Sequence, residues 1–250
     1  MYKRQASFAP DDPIIDGVRI FSPRRTVGKI EPEFVFDRRD SPLNPQEGYL
    51  IKVEPAVVSG DAFGQGGESF LQDSFLRLTV GFSYYFELWD DFVLGQGLRA
   101  GQIFPIAGRE NPVQADERYF LGGVRSVRGF PDGTLGPVGT NQLPGGGEFM
   151  MNYNAELRYP LLSEFGVFGA TFFDVGLLSD CRDPLTNVRD CYETTFGGDV
   201  FGNVRTSAGL GLRALILDQI PVVLDYGVVL NRDSGEKFGQ LHFNVGYTFD

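Results

Sequence analysis

One arginine and two carboxylates carry the chemistry this sequence offers. Arg128 lies in the run Gly122-Gly123-Val124-Arg125-Ser126-Val127-Arg128-Gly129-Phe130-Pro131-Asp132-Gly133. Glu156 and Asp174 follow in two later stretches of alternating polarity. A guanidinium is planar, keeps its charge when buried, and can fork onto two carboxylates. The chemistry in view is therefore an electrostatic clamp rather than the making or breaking of bonds. Val127 and Phe130 bracket Arg128 with apolar side chains, and the glycines permit tight backbone. Two readings of this loop stay open. It folds back onto the protein with its cation aimed at a buried acid, or it runs over the surface as most loops do. Glu156 and Asp174 are correspondingly either its partners or ordinary solvated acids.

Catalysis has little support. Nucleophilic hydrolysis needs a base beside a serine or cysteine, and His242 is the only histidine. There is no phosphate-binding glycine loop and no metal-ligand cluster. The expectation is a protein that is not an enzyme and has no metal and no cofactor. A lipase or protease using a carboxylate base is the alternative. Cys181 and Cys191 share one polar segment. In an oxidising compartment they would close a local disulfide, with two free thiols as the other reading. The net charge of −11 argues against nucleic-acid binding, which wants a basic face.

The elements that must position these residues are strands. No apolar run approaches the ~20 residues of a membrane helix, but a membrane barrel leaves none, because its faces alternate. From residue 33 onward the chain alternates apolar and polar residues in one segment after another. Leu76, Leu78, Val80, Phe82, Tyr84 and Phe86 oppose Arg77, Thr79, Gly81 and Ser83. The same alternation puts Glu156, Asp174, Arg213, Asp225 and His242 on polar faces. Long connections are expected near 59–73, 104–148, 179–203 and 231–239, and short ones near 41–47, 87–91, 160–164 and 217–220. That asymmetry, with Tyr84, Tyr85, Phe86 and Trp89 clustered at a short turn, suits an outer-membrane barrel with an aromatic girdle. A soluble sandwich or lipocalin-like barrel is the alternative. The expected fold is all-β: an antiparallel transmembrane β-barrel portion of about nine or ten strands. Residues 1–30 read as an N-terminal loop with a possible strand over 17–21. Residues 31–250 read as the barrel segment, with loop 104–148 turned inward. Residues 1–8 lack the apolar core of a secretory signal, which predicts a start inside a longer precursor.

The run around Val127, Arg128, Gly129 and Phe130 resembles the loop signature of the BamA family, the outer-membrane β-barrel assembly insertases. Further segments are similar to that family in order: 36–48, 172–176, 230–235 and 243–249. The resemblance implies that Arg128 pairs with Glu156 and Asp174 on neighbouring strands. It implies a weak seam at the last strand, with Phe243, Val245, Tyr247 and Phe249, where a client strand is received. It also implies a larger barrel preceded by periplasmic POTRA domains, so this chain corresponds to the C-terminal portion. The expected function is assembly and insertion of β-barrel proteins into the bacterial outer membrane. The expected partners are the lipid bilayer, nascent barrel clients and, through POTRA domains, accessory lipoproteins. A two-partner-type secretion translocator and a passive outer-membrane pore are the competing readings.

Overall fold

The computed structural model describes residues 14–15, 18–19, 25–63, 69–89, 91–107, 113–138, 143–180, 204–216 and 220–245. Strands β1 (Ile14–Ile15) and β2 (Val18–Arg19) pair only with each other. The rest form one antiparallel sheet. Its members are β3 (Arg25–Ile30), β4 (Phe34–Asp37), β5 (Gly48–Phe63), β6 (Ser69–Trp89), β7 (Phe92–Ala107), β8 (Phe149–Leu162), β9 (Val167–Ser179), β10 (Val204–Ile216), β11 (Ile220–Val229) and β12 (Gly239–Val245). Each strand from β5 onward pairs with the next in the chain. Two short 3₁₀ turns, Ala115–Glu117 and Ser163–Phe165, complete the elements.

Strands β3 and β4 share the same edge of β5. Ile30 faces Val57 and Phe34 faces Val53, so the two keep one register across a break at Glu31-Pro32-Glu33. Pro32 supplies no ladder N–H, which is why the pairing lapses there. The sheet thus begins at Arg25, inside the stretch that the sequence reading gave to the N-terminal loop. Strands β5 and β6 also run on to Phe63 and from Ser69, where a long loop over 59–73 was expected. Among the described residues β12 and β3/β4 have no second neighbour, so the sheet does not close on itself.

The two faces are sorted opposite to those of a soluble sheet. Outward-pointing residues are apolar and exposed, as at Leu210 (63%), Phe243 (68%) and Phe82 (43%). Inward-pointing residues are polar and buried, among them Asn152, Glu156, Asp174, Ser207, Arg213, Asp225 and His242. The short-turn end carries outward aromatics: Trp89 stacks on Phe92 at 5.2 Å, and Phe92 on Tyr159 at 6.2 Å. Tyr85 does not belong to that girdle. It points inward and is buried, beneath the Arg158 guanidinium.

The apolar core sits inside, at the opposite end. Val113, Tyr119, Leu121, Val127, Phe130 and Leu135 of the loop pack on Ala56, Phe75, Ile103, Met150, Leu178 and Val229 of the wall. The described parts of the loop, 113–138 and 143–148, are therefore folded inward. The loop is pinned near its ends by Tyr119, whose amide bonds Gly147 O at 2.9 Å and whose hydroxyl donates to Leu78 O at 3.1 Å.

Candidate functional site

The loop tip closes on itself before it touches the wall. Gly123 N–H donates to Phe130 O at 3.0 Å, Ser126 N–H to Gly123 O at 3.1 Å, and Gly122 N–H to Ser126 Oγ at 2.8 Å. Gly129 has φ of +117°, a conformation that other residues adopt only with strain. This compact turn presents Arg128 to the sheet.

The wall is hollowed to receive it. A Cβ on Gly176 would lie 2.4 Å from Val127 Cγ2, and one on Gly227 would lie 2.5 Å from Arg128 C and O. The glycines that look like strand weakeners are a trench that seats the loop backbone.

Arg128 is fully buried. Its Nε and Nη2 fork onto Asp174, donating to Oδ2 at 2.9 Å and Oδ1 at 2.7 Å. Its own backbone N–H donates to Asp174 Oδ2 at 2.9 Å. Nη1 donates to Glu156 Oε2 at 2.6 Å and reaches Asp225 Oδ2 at 3.4 Å. The guanidinium lies 3.6 Å above the centre of the Phe172 ring. Burial alone would pull its pKa down; Asp174, Glu156 and Asp225 more than offset this and hold it above its ordinary value. The arginine is a fixed cation.

Arg213, on β10, completes the network. Its Nε donates to Glu156 Oε1 at 3.1 Å and its Nη2 to Asp225 Oδ2 at 3.2 Å, while Nη1 bonds Asp225 Oδ1 and Nη2 also bonds Glu156 Oε2. Asn154 donates to Asp174 Oδ1 at 2.7 Å, and Ser207 to Asp174 Oδ2 at 3.4 Å. Two guanidiniums thus meet three carboxylates with the oxygens satisfied, the condition under which buried charges persist. The network joins the loop to β8, β9, β10 and β11. The tip also reaches β12, where Gly129 N–H donates to His242 Nε2 at 3.4 Å. Such an arrangement holds a loop; it presents no nucleophile and base in reacting geometry.

An Omp85 superfamily domain matches residues 25–249. The chain belongs to the Omp85 superfamily. Similar Omp85 relatives include Sorting and assembly machinery component 50 homolog B of Xenopus laevis, 30% identical over 98% of this chain and 49% of its own length. Outer membrane protein assembly factor BamA of Nitratidesulfovibrio vulgaris is 24% identical over 86% of this chain and 25% of its own. A crystal structure of BamA from Haemophilus ducreyi lacking POTRA domains 1-3 shares the fold, with a TM-score of 0.62 at 19% identity, over 86% of this chain and 41% of that one. The chain spans about half the length of the sorting-machinery relatives and about a quarter of the bacterial one. The resemblance to the BamA family and the all-β, antiparallel outer-membrane barrel fold are both borne out.

Within this Omp85 chain the structure brings Arg128, Glu156 and Asp174 together, with Val127 and Phe130 buried beside them. Phe243 and Val245 point outward from β12 and are exposed. Tyr247, Phe249, Cys181 and Cys191 lie outside the described residues. The sequence reading did not include Arg213, Asp225 or His242 in the site. Their signal was present, since alternation puts all three on the polar face; their convergence depends on the sheet bringing β8 to β12 around one loop tip. A second ion-pair group holds the loop's far end: Arg118 bonds Glu148 Oε1 at 3.5 Å, Gly146 O at 3.1 Å, and Asp180.

Proposed function

We propose that this chain is the C-terminal barrel portion of an insertase that assembles β-barrel proteins and places them in the outer membrane. One observation carries the reading. The loop is held across the inner face by a buried charge network, while β12 keeps a main-chain edge with no partner among the described residues. The loop occupies part of the inner face, and an edge strand can add a client strand by main-chain pairing. Relatives named for sorting and assembly and for outer-membrane protein assembly support the same role.

The role is non-catalytic and uses no cofactor. Its partners are the lipid bilayer, nascent barrel clients, and accessory lipoproteins reached through POTRA domains of the whole protein. We place it in a bacterial outer membrane, in line with the bacterial BamA relatives. The Xenopus relatives make a eukaryotic outer membrane the competing address, and membrane fractionation of the source cell decides between them.

The test is replacement of the native full-length protein by its Arg128→Ala form. Many barrel proteins should fall together in outer-membrane fractions. Normal barrel levels with loss of one secreted polypeptide would point to a secretion translocator. Normal levels with increased ion conductance would point to a pore.

A further inference from the structure

Most arginines of the inner face and its loops are matched. Arg77 pairs with Glu31 and Glu117, Arg118 with Glu148 and Asp180, Arg205 with Asp233 and Glu236, and Arg128 and Arg213 share the network above. Arg99 on β7 and Arg125 on the loop have no ion-pair partner among the described residues. Both line one cavity of about 200 Å³ beneath the loop. Lys52 and Glu54 also line it, so three cations face one acid across the space and the lining keeps an excess of positive charge.

Two further groups face the same space. Ser83 offers a hydroxyl. Asn152 sits opposite Arg99 in the sheet register, is 3% exposed, and its Oδ1 accepts no hydrogen bond. A buried acceptor left without a donor is costly and rare. The cavity therefore offers two anion-binding forks, a hydroxyl donor, and an acceptor that lacks a proton.

We propose that this cavity binds a phosphate group through Arg99 and Arg125. Arginine forks match phosphate oxygens in geometry and charge. Inorganic phosphate near neutral pH also keeps a P–OH, which can donate to Asn152 Oδ1; sulfate, carboxylate and phosphodiesters have no such proton. A water occupies about 30 Å³ of the liquid, so the space takes a phosphate and some of its hydration. The cavity opens on the inner side of a sheet whose other face is apolar, so a free phosphate or soluble phosphate ester reaches it directly. A lipid headgroup would have to enter around a strand edge.

Calorimetric titration of inorganic phosphate into the full-length protein tests this, in phosphate-free detergent at fixed ionic strength with sulfate as the matched anion. Saturable phosphate binding, tighter than sulfate, is expected. Each of Arg99→Gln and Arg125→Gln should weaken it roughly tenfold, the value of one charge-assisted contact. Thermal unfolding without phosphate should be unchanged in both. If a variant fails to fold, phenylglyoxal labelling of the unaltered protein replaces it, with phosphate protecting Arg99 and Arg125 but not the exposed Arg232. Absence of saturation, equal binding of sulfate, or protection no greater than at Arg232 overturns the proposal. Repeating the titration in vesicles of phosphatidylethanolamine and phosphatidylglycerol identifies the source. Retention there assigns a soluble phosphate; loss assigns a headgroup diester held by the arginine forks alone and overturns the P–OH contact to Asn152.

Discussion

The inner face has two halves that share a composition and differ in what covers them. From β8 to β11 the loop tip lies against the wall, and the charges it meets are buried, forked and paired. From β5 to β7 the wall opens onto a cavity, and Arg99 has no ion-pair partner among the described residues. Two glycines show the difference, although Gly101 on β7 is covered by the Tyr119 ring of the loop. Gly227 is overlain by the Arg128 backbone, whereas a Cβ on Gly81 would meet nothing closer than Lys52 Cβ at 3.8 Å. The difference teaches that polarity inside a barrel is not by itself a site. A charge there becomes structural when something excludes water from it, and stays available when nothing does.

Removing Arg128 should break the contrast most sharply. Arg128→Ala strands Asp174 and Glu156 and should cost about 3–5 kcal/mol, whereas Arg99→Ala should stay within about 0.5 kcal/mol. Denaturant unfolding in detergent measures both, and equal losses would erase the distinction between the halves. Arg128→Lys should fall between them, since a single ammonium cannot fork. Arg213→Met is expected next, at about 2–3 kcal/mol, because Arg128 still reaches both orphaned carboxylates.

The glycine pair sharpens the comparison on purely steric grounds. Gly227→Ala should lose about 1–3 kcal/mol by overpacking and expose the loop to trypsin at Arg125. Gly81→Ala should leave both stability and cleavage unchanged. A loop equally protected in the two variants would mean that the trench does not seat it. Beneath the loop tip the smallest loss should come from His242→Leu, which removes the acceptor for Gly129 N–H and should cost about 1 kcal/mol. Hydrogen exchange should speed up at Gly129 and along β12 while the amides of β6 are unaffected.

The strands were legible where lipid demands them. Alternation over 76–86 or 204–214 marks which residues face out, because any lapse there would leave a polar group in hydrocarbon. Legibility failed beyond that band. Asp61, Gln72 and Asp73 pair in the ladder, yet read as loop, since a strand outside the bilayer needs no apolar face. Arg25–Ile30 was missed for a similar reason: Arg25, Thr26 and Lys29 give no clean alternation, and Pro32 looks like a terminator. In the site, Arg128 with Glu156 and Asp174 came from family resemblance. Asp225 lies 97 positions from Arg128, and no local pattern ties residues so far apart.

That separation also orders events in time. The loop tip's contacts reach back from Glu156, 28 residues away, through Asp174 at 46 and Asp225 at 97, to His242 at 113. Closing such long intervals is slow, and each needs its strand already laid down. Arg128 therefore emerges from synthesis long before its last partners exist. Its last carboxylate arrives with β11 and the tip's contact to His242 with β12, so the tip can be fully seated only once both strands have joined the sheet.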